Sequence, residues 1–171
     1  SLERYEGYLE PYGRFAEAGE LVPSLLDVVA DGGELQCVPR SADATTLAIS
    51  EAAWADAGLT DADVPTTWEQ LETVAQALAT DEMAGLTIDP DAAHLGVLLA
   101  QAGGALVDES GAVADSEAAA AALDLAARMH DAGALAWPDA LGTSSAATAF
   151  ATGSAAMAYV ELRSSTRAGR T

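Results

Sequence analysis

The sequence predicts an α/β fold with a partly parallel sheet, and three observations carry that prediction. From residue 34 to residue 160, short apolar or β-branched runs alternate with segments of helical periodicity. The stretch Val64-Pro65-Thr66-Thr67-Trp68-Glu69-Gln70-Leu71 is a helix entry: Pro65 ends what precedes it, Thr66 or Thr67 can cap, and Glu69 or Gln70 completes a capping box. Gly and Pro punctuate the chain between these runs, and no repeat of roughly 20–50 residues is present.

Taken in order, Leu2, Tyr5, Leu9, Tyr12 and Phe15 fall at helical spacing, while Pro11 breaks the segment into two helices, the second ending at Gly19. Leu21-Val22-Pro23 reads as an extended exit, and residues 25–29 as a short turn or helix. Asp31-Gly32-Gly33 is a turn signal into a strand over 34–38 that Pro39 terminates. Thr45-Thr46-Leu47-Ala48-Ile49 suits a second strand, and Ser50 can cap a helix over 51–57 that Gly58 stops. Residues 60–63 form an acidic loop into the Pro65 entry.

The helix opened there is amphipathic, with Trp68, Leu71, Val74, Ala75 and Leu78 on one face and Glu69, Glu72 and Gln76 on the other. A short strand over 85–88 follows, then a helix opened by Asp89-Pro90 and closed by Gly103-Gly104, and a hairpin-like loop over 105–113. Asp115 or Ser116 caps an Ala-rich helix over 117–132, with Gly133 at its end. Residues 137–142 read as a loop, Ser144 or Ser145 caps a helix through Phe150, residues 155–160 form a strand, and residues 163–171 a frayed basic end.

Composition bounds the function. The chain has 171 residues, enough to bury roughly 70% of its unfolded surface. Aromatics make up only 5%, so the core is expected to form by close packing of small residues. Seven Arg and no Lys stand against 27 acids, a formal charge of −20, and four of the seven Arg share residues 1–162 with every acid. That field argues against nucleic acid. It reads as a solvated acidic face, with adaptation to high salt as the other reading. Cys37 is the single cysteine, which excludes an intrachain disulfide, and is read as a buried inert thiol. No apolar run reaches the roughly 18 residues of a membrane span, and the first residues are not a signal peptide.

The motifs of several enzyme classes are missing. There is no phosphate loop with Lys, no Gly-x-Ser-x-Gly elbow and no paired-His metal helix. His94 and His130 are read as surface or capping residues, because neither has a second His at i+4. No metal site and no cofactor are expected.

Several separated stretches nevertheless form an ordered series: Phe15-Ala16-Glu17-Ala18-Gly19-Glu20-Leu21-Val22-Pro23; the strand run 33–39 with Asp43 and Ala52-Ala53-Trp54-Ala55-Asp56-Ala57-Gly58-Leu59; Pro65-Thr66-Thr67-Trp68-Glu69-Gln70-Leu71; Leu98-Leu99-Ala100-Gln101-Ala102-Gly103-Gly104; and Ala149-Phe150-Ala151-Thr152-Gly153-Ser154-Ala155-Ala156-Met157. In order and approximate spacing the series resembles the extracellular solute-binding proteins of ABC importers (family 1), the maltose-binding-protein-like class. The Pro-x-Thr-Trp-Glu stretch is its most specific match. The resemblance implies a periplasmic-binding-protein-like two-lobed fold represented by its middle portion: residues 1–62 as part of the first lobe, 63–148 as the second lobe, and 149–171 crossing back.

It also implies a site. Asp43 matches an acidic position that accepts hydrogen bonds from sugar hydroxyls, and Arg40 and Ser41 share its loop. Asp91 falls near a second such position but can also cap its helix, and Trp137, Tyr159 and Arg163 complete the ligand-binding candidates. Arg40 or Arg163 in the cleft would favour an anionic ligand. Ala93, Gly96 and the segment after Met157 depart from the stacking aromatics of sugar binders. The expected function is that of a non-enzymatic receptor. It would capture a small polar solute, a carbohydrate by resemblance, for ABC permease subunits, at an extracellular or periplasmic location with a lipid anchor outside this sequence. The alternative is a receptor-like domain that has lost its ligand and serves as a protein-interaction module. A carboxylate-dependent hydrolase is the third reading.

Overall fold

Local capping sets most of the element boundaries. A computed structural model describes residues 26, 29–31, 34–37, 41–105, 107–108, 111–112 and 116–165. The helices expected over 2–18, the exit at 21–23 and Arg40 lie outside the described residues. Strands β1 (Ala30–Asp31) and β2 (Glu34–Leu35) pair antiparallel, Ala30 opposite Leu35, as the reversal signalled after Asp31 requires. Strand β3 (Ser41–Ile49) leads into helix α1 (Glu51–Asp56), whose N-cap Ser50 accepts a bond from the Ala53 amide. Trp54 is buried there and donates from Nε1 to the Thr60 carbonyl at 3.1 Å.

A short 3-10 turn (Asp61–Asp63) precedes helix α2 (Trp68–Leu78). Of the two Thr that could cap α2, Thr67 does so, in a reciprocal box with Gln70. Its apolar face buries Leu71, Val74, Ala75 and Leu78, while Trp68 stays half-buried. All four residues of strand β4 (Ala84–Thr87) are buried. Gly85 is required where β4 meets α2, because a Cβ there would overlap the Ala75 carbonyl.

Helix α3 (Ala92–Gln101), the antiparallel pair β5 (Val107–Asp108) and β6 (Gly111–Ala112), and helix α4 (Glu117–Asp131) follow. Ser116 is the cap of α4, and Gly133 closes it with a positive φ of 73°. Then come strand β7 (Leu135–Ala136), helix α5 (Ala146–Ala151) capped by Ser145, and strand β8 (Ala155–Ser165). The larger sheet has the order β3-β8-β4-β7. Strand β4 pairs parallel with β7, Leu86 opposite Leu135, and parallel with β8, Leu86 opposite Met157. The partly parallel sheet is therefore present. The main core joins Leu71, Leu86, Leu98, Leu125, Met129, Leu135 and Met157 from α2, β4, α3, α4, β7 and β8.

Several readings differ from the structure, the first being the strand expected over 34–38, which extends only over Glu34–Leu35, with residues 36–37 in a bend. Strand β7 has no counterpart in the sequence reading, because two residues without β-branching carry no periodic signal; its pairing with β4 makes it a strand. Strands β3 and β8 run further than residues 45–49 and 155–160, so residues 163–165 are strand and not a frayed end. Cys37 is half-buried, not buried. His94 is 6% exposed and belongs to the interior, because its face of α3 is shared with Leu98 one turn on.

The chain divides into two compact units, residues 1–44 with 162–171, and residues 45–161. Strands β3 and β8 each continue from one unit into the other. Within the second unit lie α1 to α5, β4 and β7.

Candidate functional site

Parallel neighbours end at the same edge of a sheet, and β4 and β7 are parallel neighbours. The chain leaves β4 through Ile88-Asp89-Pro90-Asp91 and β7 through Trp137-Pro138-Asp139, so two carboxylate-bearing Pro segments meet beyond the carboxyl ends of two strands. In open α/β sheets that edge is where ligands are held. A cavity of about 560 Å³ lies there, within the usual size for a small-molecule site. It is lined by Asp89, Pro90, Trp137, Pro138, Asp139, Thr143 and Ser144.

Each wall is held by hydrogen bonds to the backbone. Asp89 Oδ1 accepts from the Ala146 amide at 2.8 Å, tying the β4 exit to the first residue of α5. The Thr143 amide and hydroxyl both donate to the Pro138 carbonyl, at 2.9 and 3.1 Å, which closes the loop after Trp137. The His130 ring lies 6.0 Å from that of Trp137, tilted by 35°, and His130 Nδ1 is 3.2 Å from the Leu135 carbonyl. His130 is exposed near the end of α4, in keeping with a surface or capping residue.

Asp91 is the N-cap of α3: its Oδ1 accepts from the His94 amide and from His94 Nδ1, each at 2.9 Å. A carboxylate only accepts, so Nδ1 carries the proton. The backbone bond from His94, then the ring bond, hold the Asp91 carboxyl below its usual range. His94 Nε2 is buried without a partner among the described residues. One ligand atom each from Asp89, Asp91 and His94 lie within 4.8 Å of one another, a set able to face a cation.

Of the residues named from sequence, Trp137 lines this cavity; Asp91 does not line it, but one of its oxygens lies within 4.8 Å of one of Asp89, which does. Tyr159 does not join them. It is 7% exposed and lines a second cavity of about 640 Å³ with Thr45, Thr66, Trp68 and Gln101, where Trp68 Nε1 donates to Gln101 Oε1 at 3.0 Å. Burial raises the Tyr159 phenol, against a smaller opposing effect of its bond with Gln101. Asp43 is an exposed β3 residue of the first unit, and Ser41 and Arg163 are strand residues of that unit. Asp89, Asp139 and Thr143 were missed. Their signal is the Asp-Pro-Asp and Trp-Pro-Asp pair, legible only once residues 135–136 are known to be a strand.

No helix among the described residues is long and apolar enough to cross a membrane. No curated protein matches the sequence significantly. Among solved structures, UgpB from Mycobacterium tuberculosis in complex with glycerophosphocholine is similar at TM-score 0.67 and 23% identity, over 94% of this chain and 41% of that one. The GacH receptor of Streptomyces glaucescens gives 0.71 and 23%, over 92% and 42%. Maltose-bound MalE3 of T. maritima gives 0.70 and 22%, over 92% and 43%. The fold is thus periplasmic-binding-protein-like, and the chain spans about two-fifths of the length of these structures. A family model described as bacterial extracellular solute-binding protein matches residues 3–168, and it is to this family that the chain belongs.

Proposed function

We propose that the chain is part of a solute receptor that holds a small polar ligand against Trp137 and delivers it to ABC permease subunits outside the cytoplasmic membrane. The observation that carries this is the cavity at the carboxyl ends of β4 and β7, where one aromatic face, carboxylates and hydroxyls converge. An indole covers the apolar face of a sugar ring or polyol, and carboxylates accept from its hydroxyls. The family membership supports capture without turnover. Asp43, Arg40, Ser41, Tyr159 and Arg163 remain ligand candidates of the complete receptor on the family resemblance alone, as does the division into lobes at residues 62 and 148. A lipid anchor would lie outside this sequence.

The test is calorimetric titration of the full chain with sugars, polyols and small anions, repeated on Trp137→Ala. A ligand of the cavity should lose roughly tenfold or more in affinity on removal of an aromatic worth about 1.5 kcal/mol or more. Heat from no solute, or heat unchanged by the substitution, would sink the assignment.

A further inference from the structure

The charge around Trp137 is one-sided. Asp89 and Asp139 line the cavity, and an oxygen of Asp91 lies within 4.8 Å of one of Asp89. The cavity wall contains no Arg among the described residues, and the sequence contains no Lys. One oxygen of each inner carboxylate is already used: Asp89 Oδ1 by the Ala146 amide, and Asp91 Oδ1 by His94. Asp89 makes no other side-chain bond among the described residues, so it keeps an acceptor available.

A neutral polyol could use that acceptor, but it would leave neighbouring like charges uncompensated. An anion would be repelled by all of them. A protonated amine satisfies both demands, because an ammonium donates up to three hydrogen bonds and neutralises the pair. Trp137 adds to the same preference, since the negative face of an indole attracts a cation within about 6 Å of its centroid. The depressed proton affinity of Asp91 keeps that carboxylate charged through neutral and mildly acidic pH.

We propose that the cavity between the β4 and β7 exits selects a polyol or sugar bearing a protonated amine, with Asp89 and Asp139 against the ammonium, Asp91 adding its charge from beside Asp89, and Trp137 against the ring or chain. This rests on the receptor reading above and narrows its ligand class. The wall formed by Asp139, exposed and with no side-chain bond among the described residues, is free to respond to charge without disturbing the fold.

The experiment compares sorbitol with 1-amino-1-deoxysorbitol, and D-glucose with D-glucosamine at pH 6, by calorimetry on the full chain in low salt. The amines are expected to bind at least tenfold more tightly than their neutral partners. The preference should shrink severalfold in Asp139→Asn and again at about 0.5 M NaCl, where the Debye length falls below about 5 Å. Equal or tighter binding of the neutral members would overturn the amine preference while leaving the receptor reading intact. Failure of all four together with the wider panel would remove both. An amine preference untouched by Asp139→Asn, Asp89→Asn and Asp91→Asn would place the ammonium elsewhere and also overturn it. So would heat from CaCl2 alone that abolishes amine binding, since the carboxylates would then be a metal site.

Discussion

Asp91 serves two donors with one oxygen, and both belong to His94. Asp91→Ala removes the cap of α3 and leaves the buried Nδ1 proton without an acceptor, so a loss of about 2 kcal/mol is expected by urea denaturation. Asp91→Asn keeps an acceptor and should lose less. The pH dependence has a defined sign. The folded carboxyls of Asp63 and Asp91 are depressed, the first chiefly by the Thr60 amide and the second chiefly by the His94 amide. Each therefore stabilises the fold fully above its unfolded pKa of about 3.9 and loses that effect as pH falls through its lower folded value. The stability difference between the native chain and Asp91→Asn should accordingly shrink as pH falls through that window.

At the scale of elements, the contact of α2 with β4 tolerates no side chain at Gly85. Gly85→Ala should destabilise by about 3 kcal/mol or more, because the obstacle is backbone and cannot rotate away. Thr67→Ala, by contrast, disrupts an exposed capping box and should cost about 1 kcal/mol in the same denaturation measurement. The two results together separate a local signal from a packing constraint. Thr67 and Gln70 are three residues apart and announce themselves in the sequence, whereas Gly85 reads only as a weak strand residue until Ala75 is seen against it.

The whole chain carries −20, and self-repulsion opposes its compact state. Raising NaCl from about 0.05 to 1 M shortens the Debye length from over 10 Å to about 3 Å and should raise the melting temperature by several degrees. A chain adapted to high salt would continue to gain beyond that range; one with only a solvated acidic face would level off. The same surface explains why so much acid is uninformative. With 27 carboxylates in the sequence, the ones that matter are picked out by position beyond β4 and β7, not by type.

The sequence by itself determined the family, the α/β class, the cap at Ser50, a choice of two adjacent caps for each of α2, α4 and α5, and the apolar face of α2, because the capping and facial signals act between residues three or four apart. It also proposed Asp91 and Trp137, and left them unconnected. The tertiary structure alone decided that β7 is a strand, that His94 is interior, that Asp89 braces Ala146 from 57 positions away, and that Trp137 shares a cavity with Asp89 while Tyr159 lines another. A two-residue strand has no period, and a carboxylate's neighbours across a parallel crossover leave no trace in local spacing. Both are set by which strand pairs with which, and that is settled only when the sheet closes around β4.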